Sequence, residues 1–509
     1  MTPDARLPLA LALALAALPA CPEPLGQHAS APAAAPAARA RGAGSGVEVL
    51  ALRRPSGPEW FGLYLMGKKA GWSRADLQRE VRDGREVMVA RSETLLSATV
   101  GGKAVSRRVG EERIYEARAA GRLLAFRADW SGDGGARSIA GRCSPGGCTA
   151  RLTGEDGSVK DRDLGAVPET LDQADGVRLA AARRGEVRGP QLDLEKLRVR
   201  ELVQAFVRRE RLAGAGVEEE VSVVTEAEAG DRLATEYRVA DDGRIVGIRI
   251  GGAIEARPET EVTARKLETV DLFALSRVQL PGPLPRVVPA TVVFRLAGLP
   301  ATFWKADGRQ AFAPGPGGTT LVTVRARLPA AADAARDTPR STPSPDPALV
   351  APTPNVDSDS PAVQEAARRA AGDVPGRYAA AVRLAEDVNR RLVKAYGVSQ
   401  DRASDVLAAG EGDCTEHSVL FAAMARALGI PTRQVHGLVY ARYADGQDAL
   451  YWHAWDEVLS AGEWIAIDPT FGQPVADATH LALGRGSQVD TVGLLGTLQV
   501  KGVEIHADR

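Results

Sequence analysis

Gly412-Asp413-Cys414-Thr415-Glu416-His417, followed by an apolar run that closes at Gly429-Ile430-Pro431, decides how this 509-residue chain is read. Asp413 is placed to cap a helix and Glu416, three residues on, to complete a capping box, which makes Cys414 the first helical residue. Unpaired N–H groups and the positive end of the helix dipole then lie beside its sulfur. Such surroundings bring a cysteine pKa from about 8.5 into a range of roughly 3.5 to 7.5. The sequence therefore predicts a thiolate nucleophile at residue 414. From Val419 to Leu428 only Arg426 is charged, so the helix should be packed on nearly all sides. A lone cysteine in an apolar helix is more often plain core, and the reading needs partners.

The partners follow downstream. Leu450–Val458 (LYWHAWDEV) reads as a strand, residues 460–463 as a turn, and Trp464–Asp468 (WIAID) as a second strand stopped by Pro469. A hairpin centred on Ser460 and Ala461 sets His453 directly across from Asp468, on one face, with Cβ atoms about 4.5–5.5 Å apart. A carboxylate there fixes one imidazole nitrogen and leaves the other to take the proton of Cys414. Taken singly, His453 reads as a half-buried structural histidine and Asp468 as a strand-end cap. Together with a capped cysteine they read as a triad.

Four blocks in order, GDCTEH at 412–417, LGIPTRQVHGLVY at 428–440, YWHAWDEV at 451–458 and WIAIDPTFG at 464–472, resemble the transglutaminase-like superfamily of papain-type thiol enzymes. The resemblance covers roughly the last 150 residues. It implies Cys414 as nucleophile, His453 as general base and acid, and Asp468 as the orienting carboxylate. The backbone N–H of Cys414 is the one oxyanion donor assigned. His417 and His480 also match recurrent family positions; His417 is read as a structural hydrogen-bonding group, with cleft lining as the alternative. Trp452 and Trp455, with Trp464, flank the proposed base and acid; they are candidate walls of a substrate cleft, against the commoner role of indoles as core. Asp456 should face away from His453. Glu457 should share its face but lie too far along to replace Asp468.

The chain opens on Leu7–Leu18, an apolar run read as part of an export signal over residues 1–20. Leu18-Pro19-Ala20-Cys21 resembles a bacterial lipoprotein signal, which implies lipidation at Cys21. Residues 21–46, rich in Ala, Pro and Gly, read as a flexible tether. The expected setting is the periplasmic side of a membrane, held by a lipid anchor. A formal charge of −1 without a dense Lys/Arg run argues against nucleic acid as a partner. Cys143 and Cys148, spaced as CSPGGC, read first as a local disulfide and second as two free thiols. Two cysteines without nearby histidines make a poor zinc site. Neither metal nor organic cofactor is required by the residues seen.

Residues 47–275 read as a β-rich domain. Tyr115 precedes Gly121-Arg122 by six residues, and Tyr237 precedes Gly243-Arg244 by six, a weak repeat that two halves of one antiparallel sheet would give. Asp193–Val207 reads equally as a helix or a strand pair. A small β module is expected over 276–328, an extended Pro-rich linker over 329–360, and the catalytic domain over 361–509, helices first and then an antiparallel sheet, an α+β papain-like layout. The expected function is a cell-envelope thiol enzyme acting on amide or peptide bonds of a protein or peptide substrate. The competing reading is a binding or assembly lipoprotein that keeps the fold without turnover.

Overall fold

A computed structural model of the chain describes residues 47–506, except 101–102, 133–134, 155–156, 215–216, 232–233, 285–289, 328–336, 338–343, 345, 396–401, 443–445, 487–490 and 492. Residues 1–46, with the expected signal, tether and Cys21, lie outside the described residues. Among those described, no helix is long and apolar enough to cross a membrane. The chain divides into two compact units, one ending at Val270 and one from Asp271 onward.

The first unit is a fourteen-stranded sheet: β1 (Glu59–Leu65), β2 (Lys68–Arg82), β3 (Arg85–Val100), β4 (Lys103–Glu116), β5 (Leu123–Gly132), β6 (Gly135–Ser144), β7 (Gly147–Thr153), β8 (Val159–Gly165), β9 (Glu186–Asp193), β10 (Arg198–Gly214), β11 (Val217–Glu228), β12 (Thr235–Ala240), β13 (Ile245–Ile250) and β14 (Ile254–Glu259). Two meanders, β1–β8 and β9–β14, join where β1 pairs antiparallel with β14. Both tyrosines of the sequence repeat sit on hairpin strands of these meanders. Each is buried and donates to an inward glutamate, Tyr115 to Glu169 Oε1 (2.5 Å) with Arg113 also on Glu169, and Tyr237 to Glu226 Oε1 (3.1 Å). The undecided stretch Asp193–Val207 is neither a helix nor a strand pair of its own: it is the turn after β9 followed by the first part of β10. Asp193 Oδ1 accepts the N–H groups of Glu195 and Lys196 and turns the chain from β9 into β10. Cys143 and Cys148 face each other across β6 and β7 and are disulfide-bonded.

In the second unit, β15 (Val278–Gln279), β16 (Thr291–Ala297), β17 (Gln310–Pro314) and β18 (Thr320–Arg325) precede helices at Pro361–Ala371, Arg377–Arg391, Ala403–Ala409 and Cys414–Ala427. Short strands β19 (Val393–Lys394) and β20 (Glu411–Gly412) lie between these helices, and β21 (Thr432–Arg442), β22 (Asp448–Ser460), β23 (Glu463–Ile467), β24 (Leu481–Arg485) and β25 (Gln499–His506) follow them. One sheet runs β15-β22-β21-β24, with β23 on β22; another runs β17-β18-β16-β25. Leu420, Phe421 and Met424 of the Cys414–Ala427 helix pack with Val363, Leu384, Val388, Val458, Ile465 and Ile467. Every residue from Cys414 to Arg426 is buried, because hydrophobic side chains run all round the helix.

Two boundaries differ from the sequence reading. The module at 276–328 is not separate: β15 pairs with β22, and β16 pairs with the C-terminal β25. The second half of the supposed linker is packed. Val356 is 2% exposed within the helical core, and Asp357 accepts from Ser404 N–H and Arg402, capping the Ala403–Ala409 helix. Asp357 caps a helix and Asp337 pairs with Arg377, long-range contacts that a Pro-rich composition does not carry.

Gly437 lies opposite His453 in the β21–β22 pair, and a Cβ there would strike the Leu481 carbonyl of β24 and the Trp455 ring. Gly437→Ala is expected to lower stability of the second unit by about 1–3 kcal/mol, as overpacking does, read as a lowered calorimetric transition; an unchanged transition would show that β24 can yield.

Candidate active site

Asp413 caps the Cys414–Ala427 helix through Thr415 N–H (2.8 Å), and Glu416 reaches back to Asp413 N–H (2.8 Å). The capping box therefore places Cys414 at the first helical position. Cys414 is 7% exposed, and the backbone of Ala454, the residue after His453 on β22, lies close enough to its thiol to favour the thiolate. The thiol is not poised as the sequence reading expects. Burial pushes it well above its ordinary range, with the charge of Asp413 adding to this and the Ala454 contact working the other way. A helix start favours thiolate only while it stays solvated and free of competing anions; here the site is buried and the capping Asp413 carries a like charge.

His453 and Asp468 meet, with Nε2 2.8 Å from Oδ2. They are diagonal rather than directly opposed. The turn is Ala461-Gly462, with positive φ at both residues, so Ser460 pairs with Glu463 and each pairing shifts by two residues along the partner strand, which keeps His453 and Asp468 on one face. The strand stops at Ile467, and Asp468 and Gln473 bridge a tight loop. Inside that loop Asp468 Oδ1 accepts the N–H groups of Thr470 (2.7 Å) and Phe471 (3.0 Å), which leaves Oδ2 for imidazole. Asn389 pins the loop by donating to the carbonyls of Pro469 and Thr470. Burial works against the charge of Asp468, yet His453 and His480 hold its carboxyl well below the usual carboxylate range.

Two residues that sequence reasoning left without a role belong to this cluster. Phe471, 39% exposed, stacks on His453 with ring centroids 4.8 Å apart. His480 sets Nε2 3.0 Å from Asp468 Oδ2. The available signals were a turn-forming Asp-Pro-Thr-Phe run and the Asp477/His480 spacing.

The remaining candidates scatter. His417 is fully buried, its Nδ1 2.6 Å from the Asp413 carbonyl, and burial pushes its pKa down. Trp455 lies beside His453 at 6.1 Å but is wholly buried. Trp452 is 8% exposed and donates to the Ser276 carbonyl, so it anchors the strand and does not wall a groove. Trp464 lies under Arg433. Glu457 holds Arg433 and Arg485, tying β21, β22 and β24 together. Asp456 is buried, next to Ser418, and burial raises its pKa well above the usual range. Nitrogen atoms of His453 and His480 and an oxygen of Asp468 lie within 4.8 Å of one another, a spacing that a metal ion could also use.

Residues 364–469 match the family model of the transglutaminase-like superfamily, so the match ends just after Asp468 and before His480. Among solved structures the chain is similar to a candidate cysteine protease from Cytophaga hutchinsonii, at 16% identity and TM-score 0.29, over 43% of this chain and 85% of that one. It is also similar to a beta-barrel-like protein of a domain of unknown function from Brucella abortus, at 11% and 0.28, over 40% and 95%. A candidate protease from Parabacteroides distasonis follows at 12% and 0.19, over 77% and 70%. No curated protein matches the chain.

Burial, with the charge of Asp413 beside it, pushes Glu416 up to about 9. A carboxyl raised in the folded state favours folding below its ordinary value of 4.5, and that contribution is lost as pH rises toward about 9. Glu416→Gln is expected to remove this slope while keeping an acceptor for Asp413 N–H. Denaturant unfolding of both proteins across pH 5–9 checks it; parallel curves would mean that Glu416 is ionised.

Proposed function

We propose that the transglutaminase-like domain of this chain is a thiol enzyme that opens amide or peptide bonds through a thioester, with Cys414, His453 and Asp468 in the three roles. The observation that carries this reading is the buried His453–Asp468 hydrogen bond on the strand whose next residue, Ala454, touches the Cys414 sulfur. Asp468 is ionised and accepts only, so His453 carries its proton on Nε2 and leaves Nδ1 as the base.

In the first step the Cys414 proton passes to His453 Nδ1 as Sγ attacks the carbonyl carbon. The C–N bond then breaks, and the same proton leaves with the amine. A water, deprotonated by His453, attacks the thioester; the carboxylic acid departs and Cys414 regains its proton. The Cys414 backbone N–H serves the developing oxyanion. A second amine in place of water gives a cross-link, and hydrolysis is favoured here on the resemblance alone. The proposed setting is the cell envelope, with the chain held at a membrane by a lipid on Cys21 and acting on a protein or peptide substrate.

One observation favours the competing reading of a non-catalytic binding protein: the sulfur is nearly closed off and burial holds it protonated. Mass spectrometry of envelope material exposed to the full chain or to Cys414→Ala separates the readings. New peptide termini that depend on Cys414 are expected. Isopeptide bonds in their place would assign cross-linking, and neither product would leave the binding role.

A further inference from the structure

Asp468 Oδ2 faces two imidazoles, His453 Nε2 at 2.8 Å and His480 Nε2 at 3.0 Å. His480 is 0% exposed, and its other nitrogen lies 3.2 Å from Asp477 Oδ1. Asp477 in turn accepts Thr479 N–H (2.8 Å), Thr479 Oγ1 (2.5 Å) and Gln473 Nε2 (2.9 Å). Carboxylates that accept this many donors stay ionised even when buried. An imidazole with an ionised carboxylate at each nitrogen has to donate from both, which makes it an imidazolium. Among the described residues, the charged and titratable groups against this segment are Asp468, Asp477 and His453, with the Arg309 guanidinium on its backbone carbonyls and the rings of Trp455 and Phe471 edge-on to the imidazole.

The segment that carries Asp477 and His480 is held from outside the helix-and-sheet core. Arg309, 5% exposed, donates to the carbonyls of Ala476 (2.5 Å), Asp477 and His480 (3.4 Å). Gln310, next along the chain, exchanges a pair of hydrogen bonds with the backbone of Ala482 (2.7 and 2.9 Å). Thus the β16–β18 region, read from sequence as a separate module, supplies the clamp for this arm.

We propose that His480 is a positioning residue: a doubly protonated imidazole, clamped between Asp468 and Asp477, that fixes the Asp468 carboxylate in the orientation that receives His453 Nε2–H. Without it, Oδ2 keeps a single imidazole partner in a site closed to water, and the carboxylate turns or takes up a proton. His453 then loses the anchor that keeps Nδ1 free. His480 does not touch the reacting atoms. The inference rests on the proposed thiol chemistry for its purpose, but not for its geometry, so the two fail separately.

The test is nitrogen-15 spectroscopy of the six histidines in the full chain, assigned by substitution. At pH 7 both ring nitrogens of His480 are expected to carry protons, and the Nε2 proton of His453 to exchange slowly. His480→Leu should lose the slow His453 signal and His480→Gln, which restores an N–H toward Asp468, should recover it. A singly protonated His480, or a His453 signal unchanged in the leucine variant, would overturn the proposal. Should His480→Leu not fold, Asp477→Asn decides: His480 is expected to give up its Nδ1 proton while keeping Nε2–H, and persistent double protonation would overturn it. Loss of Cys414-dependent cleavage with these signals intact would sink the thiol-enzyme reading instead.

Discussion

One buried carboxylate, Asp468, holds the site together. It is 0% exposed, and removing an ion from water without partners costs several kcal/mol. Two backbone N–H groups of its own loop and two imidazoles offset that cost. The strand of His453, the loop of Phe471 and the segment of His480 all converge on these oxygens. The placing of each follows from the need to satisfy this one charge. Arg309 and Gln310 fix the far side of the same arrangement, which gives the β strands before residue 328 a structural reason to belong to this unit.

The thiol is the other half of the site and is closed. Its helix is buried on all sides, the charge of Asp413 opposes ionisation of the sulfur, and Phe471 stacks on the imidazole. These features set the thiol protonated at rest. In the proposed chemistry it becomes a nucleophile only when its proton can pass to His453, so activation belongs to the encounter with substrate and not to the helix dipole. A resting thiol of this kind is also protected from adventitious oxidation, because the thiolate is the form that reacts.

Much of the site was legible because it is local. A capping box and a hairpin are short-range patterns, and they placed Cys414 at a helix start and His453 on a strand, while Asp468, read as the last strand residue, lies one place beyond it in the loop. The pairing was missed by two residues because Ala461-Gly462, with left-handed backbone at both positions, is the turn and not Ser460-Ala461. What sequence could not carry was long-range: Asp357 capping a helix, β25 pairing with β16 across some 200 residues, and Arg309 reaching the His480 segment. Desolvation of Cys414 was missed for the same reason, since burial is a property of the packed unit. In the first unit, regular alternation gave the β character of the sheet, while its two-meander order depends on the pairing of β1 with β14, which no local pattern encodes.

In the proposed chemistry, sulfur, imidazole and carboxylate act as one proton-transfer unit. Site-resolved alkylation of Cys414 by a small neutral reagent, followed across pH 5–9 in the full chain and in His453→Ala and Asp468→Asn, tests it most directly. The account predicts that at pH 7 the native sulfur reacts about tenfold or more faster than in either variant, since only the paired imidazole can relieve it of its proton. Equal rates in all three proteins, rising only with the intrinsic ionisation of a buried thiol, would contradict it.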